Sequence, residues 1–230
     1  MGNSGVSNFN ASMLISYLLA LVFGYISGAT PFGYLVAKNM GVNILEKGSK
    51  NIGATNVSRV LGKKPGILVF VLDLAKGALG VILASKLLNN ESNSPDLLGL
   101  IAGVGAILGH NFTFWLKFKG GKGIATTSGV LLGLTPWTFL ILISTWGIIF
   151  KLTRYVSVAS ILAAFLMPFI VYFIDDGNPV LVWSTAILGA LAIVRHKANI
   201  VRLLNGTENR FEKKGPTEKN SEKNLEDAKK

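Results

Sequence analysis

Three short polar stretches interrupt an otherwise apolar chain, and each has the residue types that hold anions. The first reads Gly48-Ser49-Lys50-Asn51-Ile52-Gly53-Ala54-Thr55-Asn56-Val57-Ser58-Arg59. The second is Gly109-His110-Asn111, running on to Phe118-Lys119-Gly120-Gly121-Lys122-Gly123. The third is Arg195-His196-Lys197-Ala198-Asn199-Ile200, leading to Gly206-Thr207-Glu208-Asn209-Arg210. Small residues, amides, hydroxyls and cations together suit phosphate-sized anions, bound through backbone N–H groups and charged donors.

In the second stretch, Gly120, Gly121 and Gly123 surround Lys122 just ahead of a predicted helix. Glycines allow close backbone approach to an anion, and the helix start adds free N–H groups. The spacing is not that of an ATP-type P-loop, because Gly123 follows the lysine. Lys119 and Asn111 flank the loop. In the first stretch Ser49, Asn51, Thr55 and Asn56 offer hydroxyls and amides, and Arg59 offers a fork for two phosphate oxygens. In the third, His196, Asn199, Thr207 and Arg210 repeat the recipe, and Glu208 could orient a cation or hydroxyl. Taken singly, each stretch also fits a blander role: a basic loop, a helix cap or a solvated helix end. Three of them on one face of a bundle favour a ligand site. His110 and His196 each suit phosphate binding, base catalysis or a structural hydrogen bond. Asp73 and Lys76 share a helix face inside an apolar run and should form an ion pair. The sharper alternative draws Lys76 toward a ligand phosphate.

The elements that must position these residues are membrane helices. Mean hydropathy is +0.48. Charged residues make up 15% of the chain, where soluble domains carry about 25%. Apolar segments fall at about 13–37, 66–88, 97–116, 124–150, 156–174 and 179–194, near the ~20 residues that span a bilayer. The 124–150 block contains Gly133-Leu134-Thr135-Pro136, a turn-like break, and reads as a hairpin of two short helices. Seven crossings with the N-terminus outside then place the Lys/Arg-rich loops in the cytoplasm. The inner loops hold Lys38, Lys47, Lys50, Arg59, Lys63 and Lys64; Lys117, Lys119 and Lys122; Lys151 and Arg154; and Arg195, Lys197 and Arg202. The outer loops hold Glu91, Asp96, Asp175 and Asp176. The expected organisation is an external segment at 1–12, an all-α seven-helix membrane bundle at 13–210 and a disordered cytoplasmic tail at 211–230. The net charge of +11 fits the positive-inside rule and an anionic membrane surface better than nucleic acid. The chain has no cysteine, which removes disulfides, thiolate metal sites and a cysteine nucleophile. With two histidines and few acids, no metal site is expected.

These motifs resemble the bacterial membrane-integral acyl-phosphate:glycerol-3-phosphate acyltransferases, the PlsY family. The resemblance covers about residues 13–211. It rests on Gly-Ser-x-Asn-x-Gly-Ala-Thr-Asn-x-x-Arg, Gly-His-Asn with Lys-Phe-Lys-Gly-Gly-Lys-Gly, Arg154-Tyr155-Val156-Ser157, and the closing His-x-x-Asn-Ile-x-Arg-Leu-Leu-x-Gly. It implies acyl transfer from acyl phosphate to the 1-hydroxyl of sn-glycerol 3-phosphate at a cytoplasmic-face site in the bacterial cell membrane. It implies no cofactor, and a monomer among membrane lipids. Ser49, Arg59, His110, Lys122, His196 and Asn199 would be catalytic. Asn51, Thr55, Asn56, Asn111, Lys119, Gly120, Gly121, Gly123, Thr207 and Glu208 would bind substrate. Neither histidine starts the His-x-x-x-x-Asp pair of other glycerolipid acyltransferases, since Trp115 and Val201 stand five residues on. Two positions depart from the family pattern. Lys50 replaces a glycine, which argues against a positive-φ role there. Lys197 replaces an arginine, keeping the charge but losing the fork. Rival classes are an anion transporter or channel, and a membrane-anchored binding protein. A transport route would need polar residues across the whole bilayer, whereas here they crowd one side.

Overall fold

The computed structural model describes residues 11–90 and 94–211. The expected outer segment up to residue 10, Glu91 and the expected tail from 212 lie outside the described residues. The described chain is helical, with no strand. Its helices are α1 (Ala11–Ala29), α2 (Phe32–Asn39), α3 (Ala54–Leu61), α4 (Lys63–Leu87), α5 (Pro95–Asn111), α6 (Ile124–Leu134), α7 (Pro136–Thr153), α8 (Val156–Ile174), α9 (Pro179–Arg195) and α10 (Lys197–Leu204).

Among the described residues, five spans are long and apolar enough to cross a membrane: Ala11–Asn39, α4, Pro95–Leu116, α7 and α8. The α9–α10 pair, bent by 56° at His196, would make a sixth. The 124–150 block does break, with α6 ending at Leu134 and Pro136 opening α7. However, α6 has only 11 residues. At 1.5 Å per residue it rises about 16 Å, roughly half the hydrocarbon thickness. Length and composition therefore give five or six spans, fewer than the seven expected.

Packing follows membrane logic, with small residues at helix contacts and large apolar ones outside. α1 lies along α5, while α4 contacts α5, α6 and α3. α7, α8 and α9 pack in succession. At the α1–α5 contact, a Cβ added to Gly24 or Gly28 would overlap the backbone of Ala102 or Ala106. Only glycine permits that approach. Leu14, Ile15, Leu18 and Val22 on α1 and Phe169 and Phe173 on α8 are exposed, as lipid-facing residues should be.

The charges inside α4 are paired. Lys76 Nζ lies 2.7 Å from Asp73 Oδ1 and donates to the Thr30 carbonyl at the α1–α2 break (2.8 Å). It also lies 3.0 Å from His110 Nδ1 on α5. The expected ion pair is formed, and the lysine is spent on it. Tyr25 donates to the Phe112 carbonyl (2.7 Å) and Thr113 to the Ala29 carbonyl (2.5 Å), tying the end of α1 to the end of α5.

The loop before α3 corrects one expectation. Lys50 has φ 57°, so the left-handed conformation is kept without a glycine. Its N–H bonds the Lys47 carbonyl (3.0 Å), and the turn carries strain of about 1–2 kcal/mol.

Gly28→Leu should lower unfolding stability by about 3 kcal/mol or more, because the added side chain meets backbone that cannot yield. Gly147→Leu is the control, since a Cβ there meets nothing within 4 Å. Denaturant unfolding in detergent should separate the two; equal stabilities would refute the close-packed α1–α5 contact.

Candidate active site

All three polar stretches open onto one cavity of about 980 Å³. Ser49, Asn51, Thr55, Asn56 and Arg59 line it from the loop before α3 and from α3 itself. Lys122, Gly123 and the first turn of α6 line a second side. His196, Asn199, Arg202 and Glu208 line a third. Beyond this polar end the wall turns apolar, through Phe70, Leu131, Leu142, Trp146, Phe150 and Met167.

Two helices begin at the polar end. α3 starts after Gly53 and α6 after Gly123, and neither has a side-chain cap. Their first N–H groups lack intrahelical partners, and each presents a positive dipole end. Gly123 has φ 85°, which lets the chain turn sharply into α6. Lys63 and Arg154 add cations to the lining.

Asn199 organises the polar end. Its Oδ1 accepts from Lys122 Nζ, and its Nδ2 donates to Glu208 Oε1 (2.7 Å). Glu208 Oε2 takes Arg202 Nε at 2.7 Å, and Ser157 donates to Oε1 at 3.0 Å. Burial opposes ionisation of Glu208, yet its bonds from Asn199, Arg202 and Ser157 hold the carboxyl below the usual range. Burial pushes the Lys122 ammonium down to about 8. Glu208 opposes that shift, while Arg202, Arg59 and Arg195 add to it.

The other expected site residues divide into cavity-lining and scaffold. The Ser49 and Thr55 hydroxyls belong to lining residues and have no protein partner among the described residues. Asn51 lines the cavity, but its Oδ1 accepts from the Gly53 N–H (2.8 Å). Asn56 is 2% exposed and mainly builds its loop. It accepts from the Ser49 N–H (2.8 Å) and donates to the Asn51 and Lys47 carbonyls (2.8 and 3.1 Å). His196 Nδ1 donates to the Ala192 carbonyl (2.8 Å), so a neutral ring keeps Nε2 as an acceptor on a cavity-lining residue.

Several expectations need correction. The Gly120 and Gly121 N–H groups bond the Asn111 and His110 carbonyls (3.2 and 3.0 Å) and cannot cradle an anion. Neither glycine lines the cavity. A Cβ on Gly121 would overlap the His110 ring, so the loop needs glycine for close packing. His110 reaches the cavity lining but is 4% exposed and faces Lys76 and Asp73, which suits a structural role. Asn111 is fully buried behind Gly123 and lies off the cavity. Lys119 and Thr207 are exposed and also lie off it. Arg210 sits over the Tyr155 ring, 5.7 Å from its centre. Sequence reasoning assigned no role to Ser157 or Arg202. Both stood inside quoted motifs, so the signal was present, but only the fold brings them to Glu208.

A family model described as glycerol-3-phosphate acyltransferase matches residues 18–206. A glycerol-3-phosphate acyltransferase of Syntrophotalea carbinolica is 43% identical over 199 residues, covering 86% of this chain and 99% of that protein. One from Fusobacterium nucleatum is 43% identical over 198 residues, with 86% and 99% coverage. The crystal structure of PlsY (YgiH), an integral membrane glycerol 3-phosphate acyltransferase in its glycerol 3-phosphate form, superposes with a TM-score of 0.78. It is 40% identical, over 86% of this chain and 96% of that one. Its lysophosphatidic acid form gives 0.76 at the same identity and coverage. The three motifs that meet at the cavity all fall within or beside the matched region, and the chain belongs to the glycerol-3-phosphate acyltransferase family, the PlsY family.

Proposed function

We propose that this chain transfers a fatty acyl group from acyl phosphate to the 1-hydroxyl of sn-glycerol 3-phosphate, releasing 1-acyl-glycerol 3-phosphate and phosphate. The observation that carries the reading is one cavity that has both a cationic end and an apolar end. Both substrates bring a phosphate, and one brings a hydrocarbon tail. The phosphates would lie among Ser49, Thr55, Arg59 and the α3 start, and among Lys122, Gly123, Asn199 and the α6 start. The tail would run toward Trp146 and Met167.

The hydroxyl oxygen attacks the acyl carbonyl carbon, and the bond from that carbon to the phosphate oxygen breaks. The hydroxyl proton passes to His196 Nε2, the acceptor left by the Nδ1 bond to Ala192. Phosphate departs with the electron pair. A mixed anhydride is already activated, so proximity and charge stabilisation suffice. Ser49 has no histidine or carboxylate bonded to it among the described residues, which favours direct transfer over an acyl-enzyme. The cavity's Lys and Arg residues fit a cytoplasmic-face site in a bacterial cell membrane. The protein is read as a monomer with seven crossings, α6 and α7 crossing as a short hairpin where the bilayer thins.

Purified protein given acyl phosphate and labelled glycerol 3-phosphate should form labelled 1-acyl-glycerol 3-phosphate. Acyl-CoA in place of acyl phosphate should give none, and robust turnover with acyl-CoA alone would overturn the donor assignment. A depressed lysine holds charge below its folded pKa and loses it above. The profile of kcat/KM should therefore fall on the alkaline side near pH 8, the value for the Lys122 ammonium. Lys122→Arg should move that limb well above pH 8; an unchanged limb would assign it to another group. Topology is tested by single cysteines in a chain that has none. Those at Lys64 and Lys151 should label from the cytoplasm and one at Trp137 from outside. Labelling of the Trp137 variant from the cytoplasm alone would contradict seven crossings.

A further inference from the structure

Arg195, the last residue of α9, holds the glycine loop by its carbonyls. Its Nε donates to the Gly121 carbonyl (3.1 Å), and its Nη2 donates to those of Gly120 (3.0 Å) and Gly121 (2.8 Å). The guanidinium also sits over the Phe112 ring, 5.2 Å from its centre. On the opposite edge, the N–H groups of the same two glycines bond the His110 and Asn111 carbonyls at the end of α5. The Gly120–Gly121 segment is thus clamped from both sides. Lys122 follows it directly, so the clamp fixes where the lysine side chain starts.

The other end of Lys122 is set by Asn199, four residues after Arg195. One short segment of chain therefore controls both the root and the tip of the lysine. Arg195 does not line the cavity and so would not touch substrate. A planar fork can serve two adjacent carbonyls while sitting over an aromatic ring. The geometry points to Arg195 as a positioning residue that fixes Lys122, and the phosphate Lys122 would hold, relative to Asn199 and His196. This rests on the acyltransferase reading given above.

A loosened Lys122 would bind its phosphate more weakly in both ground state and transition state, which raises KM and spares kcat. A purely architectural arginine would instead lower the amount of folded enzyme, reducing apparent kcat with KM unchanged. The experiment is steady-state kinetics of the detergent-purified full chain, varying glycerol 3-phosphate and acyl phosphate in turn. In Arg195→Gln, KM for one of the two substrates should rise about tenfold or more, with the other KM and kcat within about threefold. Arg195→Lys keeps the charge but not the fork, and should give an intermediate KM. If Arg195→Gln does not yield folded protein, the Lys variant decides alone. Wild-type KM values for both substrates in the folded variants would overturn the proposal, as would a loss confined to kcat. Wild-type enzyme that made no product would instead overturn the acyltransferase reading, and direct titration of wild-type protein with glycerol 3-phosphate would show whether that substrate still binds.

Discussion

A cation meant to hold phosphate in a partly apolar cavity must have a partner while the cavity is empty, yet must give that partner up. In the proposed reading, the contact between Lys122 and Asn199 meets this constraint. An amide oxygen satisfies the ammonium without neutralising it, so a phosphate dianion can displace it as the stronger acceptor. The carboxylate that would have quenched the lysine, Glu208, is engaged one step away by Asn199, Arg202 and Ser157. The network thus leaves Lys122 bonded to an amide and not to a carboxylate. It also joins the α6 start, the α8 start and α10, so the polar end of the cavity forms only when those helices have docked.

The membrane-embedded part supplies the rigidity this arrangement needs. Lipid offers no water to rescue a stray polar group. Asp73 and Lys76 are accordingly 2% and 5% exposed and form an ion pair, with the Thr30 carbonyl and His110 beside the lysine. Removing one partner of such a buried pair typically costs about 3–5 kcal/mol. The cluster links α4 to the end of α5, whose last carbonyls hold the glycine loop. Charge pairing at membrane depth is in this way connected to the position of Lys122 through His110 and two backbone hydrogen bonds.

The sequence made the outline legible because long apolar runs and anion-binding residue types leave strong local signals. The helical class, the break in the fourth apolar block and the Asp73–Lys76 pair were all readable from spacing. What spacing could not separate was donors that meet a ligand from donors that build the loop presenting them. Asn56 and Asn199 are the same residue type in similar motifs, yet Asn56 ties up its own loop while Asn199 bridges across the cavity. Gly120 and Gly121 looked like an anion cradle, but their N–H groups turn back to α5. Lys50 kept a left-handed turn that its side chain argued against. The contacts Arg195–Gly121 and Ser157–Glu208 join residues 74 and 51 positions apart, which no local pattern encodes. Length and charge give different span counts for a physical reason: charge alternation suggests sidedness, whereas α6 is too short to register as a full crossing by length.

The central claim is that one cavity holds the phosphate and the acyl chain of the same molecule at opposite ends. An experimental structure of this protein with 1-acyl-glycerol 3-phosphate bound tests it most directly. The account predicts a phosphate within hydrogen-bonding distance of Lys122 or Arg59, and a tail running along Trp146 toward Met167. A phosphate bound elsewhere, or a tail lying on the outer lipid-facing surface of α7 and α8, would contradict it.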